Sequence, residues 1–188
     1  MPPGTGRSPN GQRRKLAERM SPLWILRTAR LVLTPVGGHD LPDLQTLKAD
    51  PRVFAIMLGG VRNHAQIAGE LANDVIAWGR DGYGIWSIRE AASNGFVGIA
   101  GLESRPDGRG VALRFAVGPE AQGKGMAREA AAAALRFGHD RANLSRIVAI
   151  ARETNIGSRM VLGTIGMTAC ETYQQQGQTM VVYESNWP

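Results

Sequence analysis

The period of apolar and polar positions changes several times along the chain, and each change predicts an element. Arg30-Leu31-Val32-Leu33-Thr34-Pro35-Val36 is rich in β-formers and is stopped by Gly37-Gly38, which predicts a first strand. Asp40 is placed to cap a helix in which Leu41, Leu44 and Leu47 recur at helical spacing, and Pro51 is predicted to end it. Ile67, Leu71, Val75 and Trp78 repeat at the same spacing and predict a second helix over 64–80. Two short β-rich runs, Ile85 to Glu90 and Phe96 to Glu103, are separated by Ala-Ser-Asn-Gly and predict an antiparallel hairpin.

Val111 to Val117 reads as a further strand after Pro106-Asp107-Gly108. The alanine-rich run from Ala127 to Phe137 predicts a helix, with Gly138 as its stop. Arg146 to Ala151 then reads as a strand, Asn155 to Gly163 as a helix, and Met180 to Ser185 as a last strand after a glutamine-rich turn. The predicted order is β-αα-βββ-α-β-α-β, an α/β (α+β mixed) domain in which helices cover a mixed sheet.

Composition narrows this picture. A chain of 188 residues with 43% hydrophobic content can bury one core, and its only cysteine, Cys170, precludes an intrachain disulfide or a cysteine-based zinc site. Cys170 itself is expected to be a small core residue. His39, His64 and His139 show no metal spacing; His139 is read as following a helix end, so no metal is expected. The formal charge of +6 is carried by residues 1–30, which hold seven Lys/Arg against Glu18 alone, while the rest carries 15 basic and 15 acidic side chains. A neutral domain lacks the basic excess of a nucleic-acid module. Residues 1–22 are read as a disordered basic tail and 23–188 as one domain. The tail has no apolar run of signal-peptide or membrane-span length, so a cytoplasmic setting without membrane contact is expected.

The chemistry concentrates where the strand ending at Val117 meets the alanine-rich helix: Gly118-Pro119-Glu120-Ala121-Gln122-Gly123-Lys124-Gly125-Met126-Ala127. Unpaired amides and partial positive charge at a helix start suit such a loop to a phosphate or pyrophosphate, with Lys124 adding charge at the rim. Gly118 to Lys124 fits a P-loop spacing, but Gly125 stands where Ser or Thr should hold magnesium, and no strand ends in a magnesium-binding Asp.

Gln122-Gly123-Lys124-Gly125-Met126-Ala127 matches [R/Q]-x-x-G-x-[G/A] and resembles the GNAT superfamily of N-acetyltransferases. The resemblance extends to Asn155-Ile156-Gly157-Ser158, to Gly166-Met167, and to the two ends of the domain. Leu26 to Leu33, Gly82-Tyr83-Gly84-Ile85-Trp86 and Val182 to Trp187 look most like the RimJ/RimL branch, which acetylates protein N-terminal amines and various small molecules.

The resemblance implies a mostly antiparallel twisted sheet, acetyl-CoA as cosubstrate and an amine acceptor, either a peptide N-terminus or a small molecule. It implies that Gln122, Gly123, Lys124, Gly125, Met126 and Ala127 hold the pyrophosphate, that Ala116 and Val117 face the pantetheine arm, and that Asn155 contacts the cofactor. Relatives often pair, so a homodimer is compatible with it. The family tyrosine seven residues after the asparagine is replaced by Leu162, and Ser158 matches the serine that RimL-like relatives use as the thiolate's acid. Independently, Asn155 suits a helix N-cap.

Glu103, at a strand end facing the cofactor cleft, is the candidate base. The C-terminal glutamate of RimL-like enzymes has no counterpart in Tyr173-Gln174-Gln175-Gln176-Gly177. An α-amine titrates about two units below a lysine amine, so a weak base favours N-termini or acidic small amines. Trp78, Tyr83 and Trp86 either line the acceptor pocket or belong to the core. The alternatives left open are a CoA-binding sensor without catalysis and a P-loop phosphotransferase.

Overall fold

Side-chain alternation along the strands sorts residues onto two faces of one sheet. A computed structural model describes residues 22–187 of the chain, and the predicted basic tail, up to residue 21, lies outside them. The strands are β1 (Leu26–Arg27), β2 (Leu31–Pro35), β3 (Ile85–Glu90), β4 (Phe96–Ser104), β5 (Val111–Val117), β6 (Arg146–Arg152), β7 (Thr168–Gln175) and β8 (Gln178–Asn186). They form an eight-stranded sheet in the order β1-β2-β3-β4-β5-β6-β8-β7. Every neighbouring pair is antiparallel except β5 and β6.

The helices are α1 (Leu41–Ala49), α2 (Pro51–Phe54), α3 (His64–Asp81), α4 (Met126–Asp140) and α5 (Ile156–Thr164). The crossover from β5 through α4 to β6 is the parallel unit that the alanine-rich helix predicted. On one face Trp86, Ile88, Leu102 and Ile147 pack against Ala130, Ala134 and Phe137 of α4 and Leu162 of α5. On the other face Leu44, Phe54, Ile67 and Leu71 from α1–α3 cover Ile85, Ile99 and Ala116. Trp78 and Trp86 are both buried and meet edge to face, with ring centroids 4.7 Å apart, so they are core residues.

Several expectations are corrected. Pro51 begins α2 rather than only ending α1, because its fixed φ and missing N–H are tolerated at a first helical position. Asp40 makes no side-chain cap; it is fully buried and accepts hydrogen bonds from Gly37 N, Ser87 Oγ and Arg89 Nη2, each at 3.0 Å. Gly138 does not stop α4. The helix continues to Asp140, and the glycine lets it pack closely on β6: a Cβ there would stand 2.5 Å from Ile147 Cδ1 and push that side-chain end aside.

His139 lies inside the last turn of α4, buried between the Leu144 carbonyl and Ser185 Oγ. β1 and β7 add strands that the predicted order lacked. The glutamine-rich segment is mostly strand, and its turn is only Gln176-Gly177, both at positive φ, as a tight hairpin demands. Cys170 is exposed on β7, an edge strand with little cover, and not in the core. Val75 is also exposed; the buried stripe of α3 runs through Ile67, Leu71 and Trp78, and the half-buried position on it is Asp74.

Candidate active site

The parallel pairing of β5 and β6 holds for two residue pairs only, Val111↔Ile147 and Ala112↔Val148, after which the strands part. Gly118 donates its amide to the Val97 carbonyl on β4, so strand alternation turns the peptide groups of Phe115 and Val117 the other way, into the gap, where the Val117 carbonyl accepts from Gln122 Nε2 at 3.4 Å. A sheet opened in its middle leaves the Phe115 groups and the Val117 amide available to an extended ligand.

At the mouth of the gap stands the glycine loop. Gly123 and Gly125 hold φ values of +72° and +74°, conformations that a side chain strains. Among the described residues, the amides of Gly123, Lys124, Gly125, Met126 and Ala127 donate to no protein acceptor. Five bare donors at the start of a 15-residue helix form a concave anion site. Arg30 braces the loop from behind: its Nη1 donates to the Lys124 carbonyl at 2.9 Å, and its guanidinium pairs with Glu129 at 2.7 Å. Burial would raise the Glu129 pKa, but hydrogen bonds from Thr28 and Arg30 hold it below the usual carboxylate value.

A groove of about 460 Å³ runs along the gap. Ala116, Val117, Gln122, Gly123, Gly125, Ala127, Asn155 and Ser158 all border it. Lys124 and Met126 do not. They border a neighbouring cavity beside Asp50 and Glu120, and Met126 is buried, so only their amides belong to the loop's concave side. Arg128, which sequence reasoning missed, borders the groove and supplies the cation expected of Lys124. Its place in the first turn of α4, just past the loop, was the available signal.

Asn155 caps α5, its Oδ1 accepting from Ser158 N at 3.1 Å, which leaves Nδ2 to donate elsewhere. Ser158 sits at the first turn, and its hydroxyl donates to no protein acceptor among the described residues. Leu162, one turn further on, is buried in the core.

Glu103 borders a second cavity of about 520 Å³ on the α3 side of the sheet. Between it and the groove lies a small cavity of about 50 Å³, a throat that shares Arg114 and Arg152 with the second cavity and Asn155 and Ser158 with the groove. Glu103 is bound by the Arg114 guanidinium across the β4–β5 ladder. Arg114 loses solvation there, which alone would lower its pKa, but the Glu103 charge beside it keeps the pKa above the ordinary value.

Asp74 is the carboxylate that sequence reasoning missed. Burial pushes its pKa up to about 6, against the opposing fields of Lys48 and Arg114. Its signal was a carboxylate three residues past Leu71 and four before Trp78, on the core stripe of α3. Lys48, buried at 3% exposure, is neutralised by Glu70 at 2.7 Å. Burial would raise the Glu70 pKa, yet hydrogen bonds from Lys48 and Arg62 hold it low.

Among the described residues, no cluster of His, Cys, Asp and Glu is arranged to hold a metal, and no helix is long and apolar enough to cross a membrane.

Residues 30–168 match the family described as acetyltransferase (GNAT) domain. Among curated proteins, the FsC-acetyl coenzyme A-N(2)-transacetylase of Aspergillus fumigatus is 27% identical over 158 residues, covering 79% of this chain. The chain spans 66% of that relative's length. Among solved structures, the acetyltransferase of Agrobacterium tumefaciens superposes with a TM-score of 0.77 at 26% identity, covering 87% of this chain and 94% of its own. RimL, the ribosomal L7/L12 alpha-N-protein acetyltransferase solved in complex with coenzyme A, shares the fold. Its TM-score is 0.71 at 17% identity, with 86% of this chain and 97% of RimL covered.

Proposed function

This chain belongs to the GNAT acetyltransferase family, and from that premise we propose that it is a RimJ/RimL-like N-acetyltransferase moving the acetyl group of acetyl-CoA directly to a primary amine, a protein N-terminal α-amine or a small-molecule amine. The family makes the chain an acetyltransferase with acetyl-CoA as its cosubstrate. One observation carries the finer reading. The bare amides of Gly123 to Ala127, the opened edge of β5, the Ser158 hydroxyl and the Glu103 carboxylate border three successive cavities, each sharing lining residues with the next.

The residues fit the cosubstrate. The loop amides and Arg128 suit its diphosphate, the peptide groups of Phe115 and the amide of Val117 suit the amide-rich pantetheine arm, and glycines at positive φ keep the path bare. The thioester then falls at the throat. Glu103, on the far side, takes the proton that an ammonium must lose before its nitrogen can attack. The nitrogen forms its bond to the acetyl carbon, the carbon–sulfur bond breaks, and Ser158 relays the amine's second proton to the departing thiolate, so the serine ends as it began. The first proton leaves Glu103 for water at the acceptor cavity, no covalent enzyme intermediate arises, and Cys170 takes no part.

Calorimetric titration with coenzyme A, followed by thiol release from acetyl-CoA with peptides, polyamines and aminoglycosides, tests the reading. Heat of binding and amine-dependent thiol release are expected. Binding without release under any amine would make the protein a sensor of the carrier, and no binding would end the assignment altogether.

A further inference from the structure

The acceptor cavity is rich in one kind of charge. Four arginines border it, Arg62, Arg105, Arg114 and Arg152, against a single carboxylate, Glu103. Three of the four have a carboxylate partner in the protein: Arg62 pairs with Glu70 at 2.5 Å, a carboxylate it shares with Lys48, Arg105 with Asp107 at 2.5 Å, and Arg114 with Glu103.

Arg152 is different. It is half-buried at the end of β6, held in register opposite Met180 on β8. Its guanidinium donates only to main-chain carbonyls, Ala55 O at 3.2 Å and Met57 O at 3.4 Å, and no carboxylate pairs with it among the described residues. Two of a guanidinium's five N–H donors are thereby used, through long bonds, and three remain. It borders both the acceptor cavity and the throat that leads to Ser158.

A guanidinium on a cavity wall with no carboxylate of its own is open to a ligand that brings the charge. We propose, resting on the acetyl-transfer reading above, that the acceptor is a zwitterion: a primary amine whose molecule also carries a carboxylate, the amine directed to Glu103 and the carboxylate held by Arg152. One planar fork with three free donors matches one carboxylate. The same arrangement repels polyamines, which bring several positive charges into a cavity already lined by arginine. The carboxylate comes either from a free amino acid or from an acidic residue just inside a peptide's N-terminus, and both present the same chemistry to Arg152.

Two matched pairs of amines separate these sources at saturating acetyl-CoA: β-alanine against β-alaninamide, and Ser-Asp-Glu-amide against Ser-Gln-Gln-amide, with spermidine as the polycation. The carboxylate member of at least one pair is expected to win in kcat/KM by about tenfold or more, and the pair that shows it names the source. Arg152→Gln is expected to raise KM for the carboxylate member by about tenfold while moving its neutral partner by less than about twofold, and Arg152→Lys to keep part of the preference.

Equal use of both members of both pairs, faster use of spermidine, or an equal loss for both members in Arg152→Gln would overturn the proposal. Transfer without carboxylate preference would leave the acetyl-transfer reading standing. An absence of thiol release with every amine, while coenzyme A still binds, would remove both.

Discussion

Arg114 and Glu103 are diagonal neighbours across the β4–β5 ladder, each two positions from the other's direct partner, and their guanidinium and carboxylate meet on the face that holds the acceptor cavity. Diagonal pairs of long side chains are within reach on a pleated surface. The pair therefore orients the carboxylate proposed as the base while about half of it remains open to solvent.

Glu103→Gln keeps the shape and removes the basicity. Turnover at neutral pH is expected to fall by about 10²-fold with the affinity for coenzyme A unchanged. Steady-state kinetics beside calorimetry checks this; full turnover in the variant would assign the proton to another group.

Ser158→Ala is expected to lower kcat about tenfold or more while coenzyme A affinity stays within about twofold. Because the cap of α5 uses Ser158 N and not its hydroxyl, the melting temperature should not move. Undiminished turnover takes Ser158 out of the mechanism.

Gly125→Ala meets ordinary contacts, with Arg30 Nη2 at 3.6 Å from the new Cβ, so its cost is conformational. Forcing a non-glycine residue to φ +74° costs about 1–2 kcal/mol. Distortion of the loop amides is expected to weaken coenzyme A binding by about tenfold or more, read by calorimetry, with a smaller fall in melting temperature.

Asp74 predicts a pH dependence whose sign follows from its raised pKa. The folded chain binds this proton more tightly than the unfolded chain, with a pKa near 6 against 3.8, so its contribution to stability is present below the unfolded value and is lost as pH rises through about 6. Asp74→Asn removes that loss and is expected to stabilise the protein by on the order of 2 kcal/mol at pH 7 or above, and by little at pH 4. Denaturant titrations of both proteins at the two pH values decide it. A gain that does not depend on pH would contradict the account.

Asn155→Ala removes an N-cap and a groove-lining amide together. A loss of about 1 kcal/mol in unfolding free energy is expected from the cap. A fall in coenzyme A affinity beyond that which Ser158→Ala produces would assign Nδ2 to the ligand.

Contiguous signals were legible in the chain itself. The glycine loop, the alanine-rich helix after it and the Asn155 cap each lie within a few residues, where local propensity and spacing act directly, so these local structures could be read residue by residue. Tertiary structure decided what depends on partners far apart in sequence. The parting of β5 from β6, the close approach of α4 to β6 at Gly138, the exposure of Cys170 on an edge strand, the field of Arg114 at Asp74, and the meeting of Arg114 and Arg152 around one cavity all follow from which strands pair and which helix covers them. A side chain's local sequence sets the face it occupies, but its solvation and counter-charges come from whatever element packs opposite, and that is why Asp74 and Arg152 gained meaning only once the chain was folded.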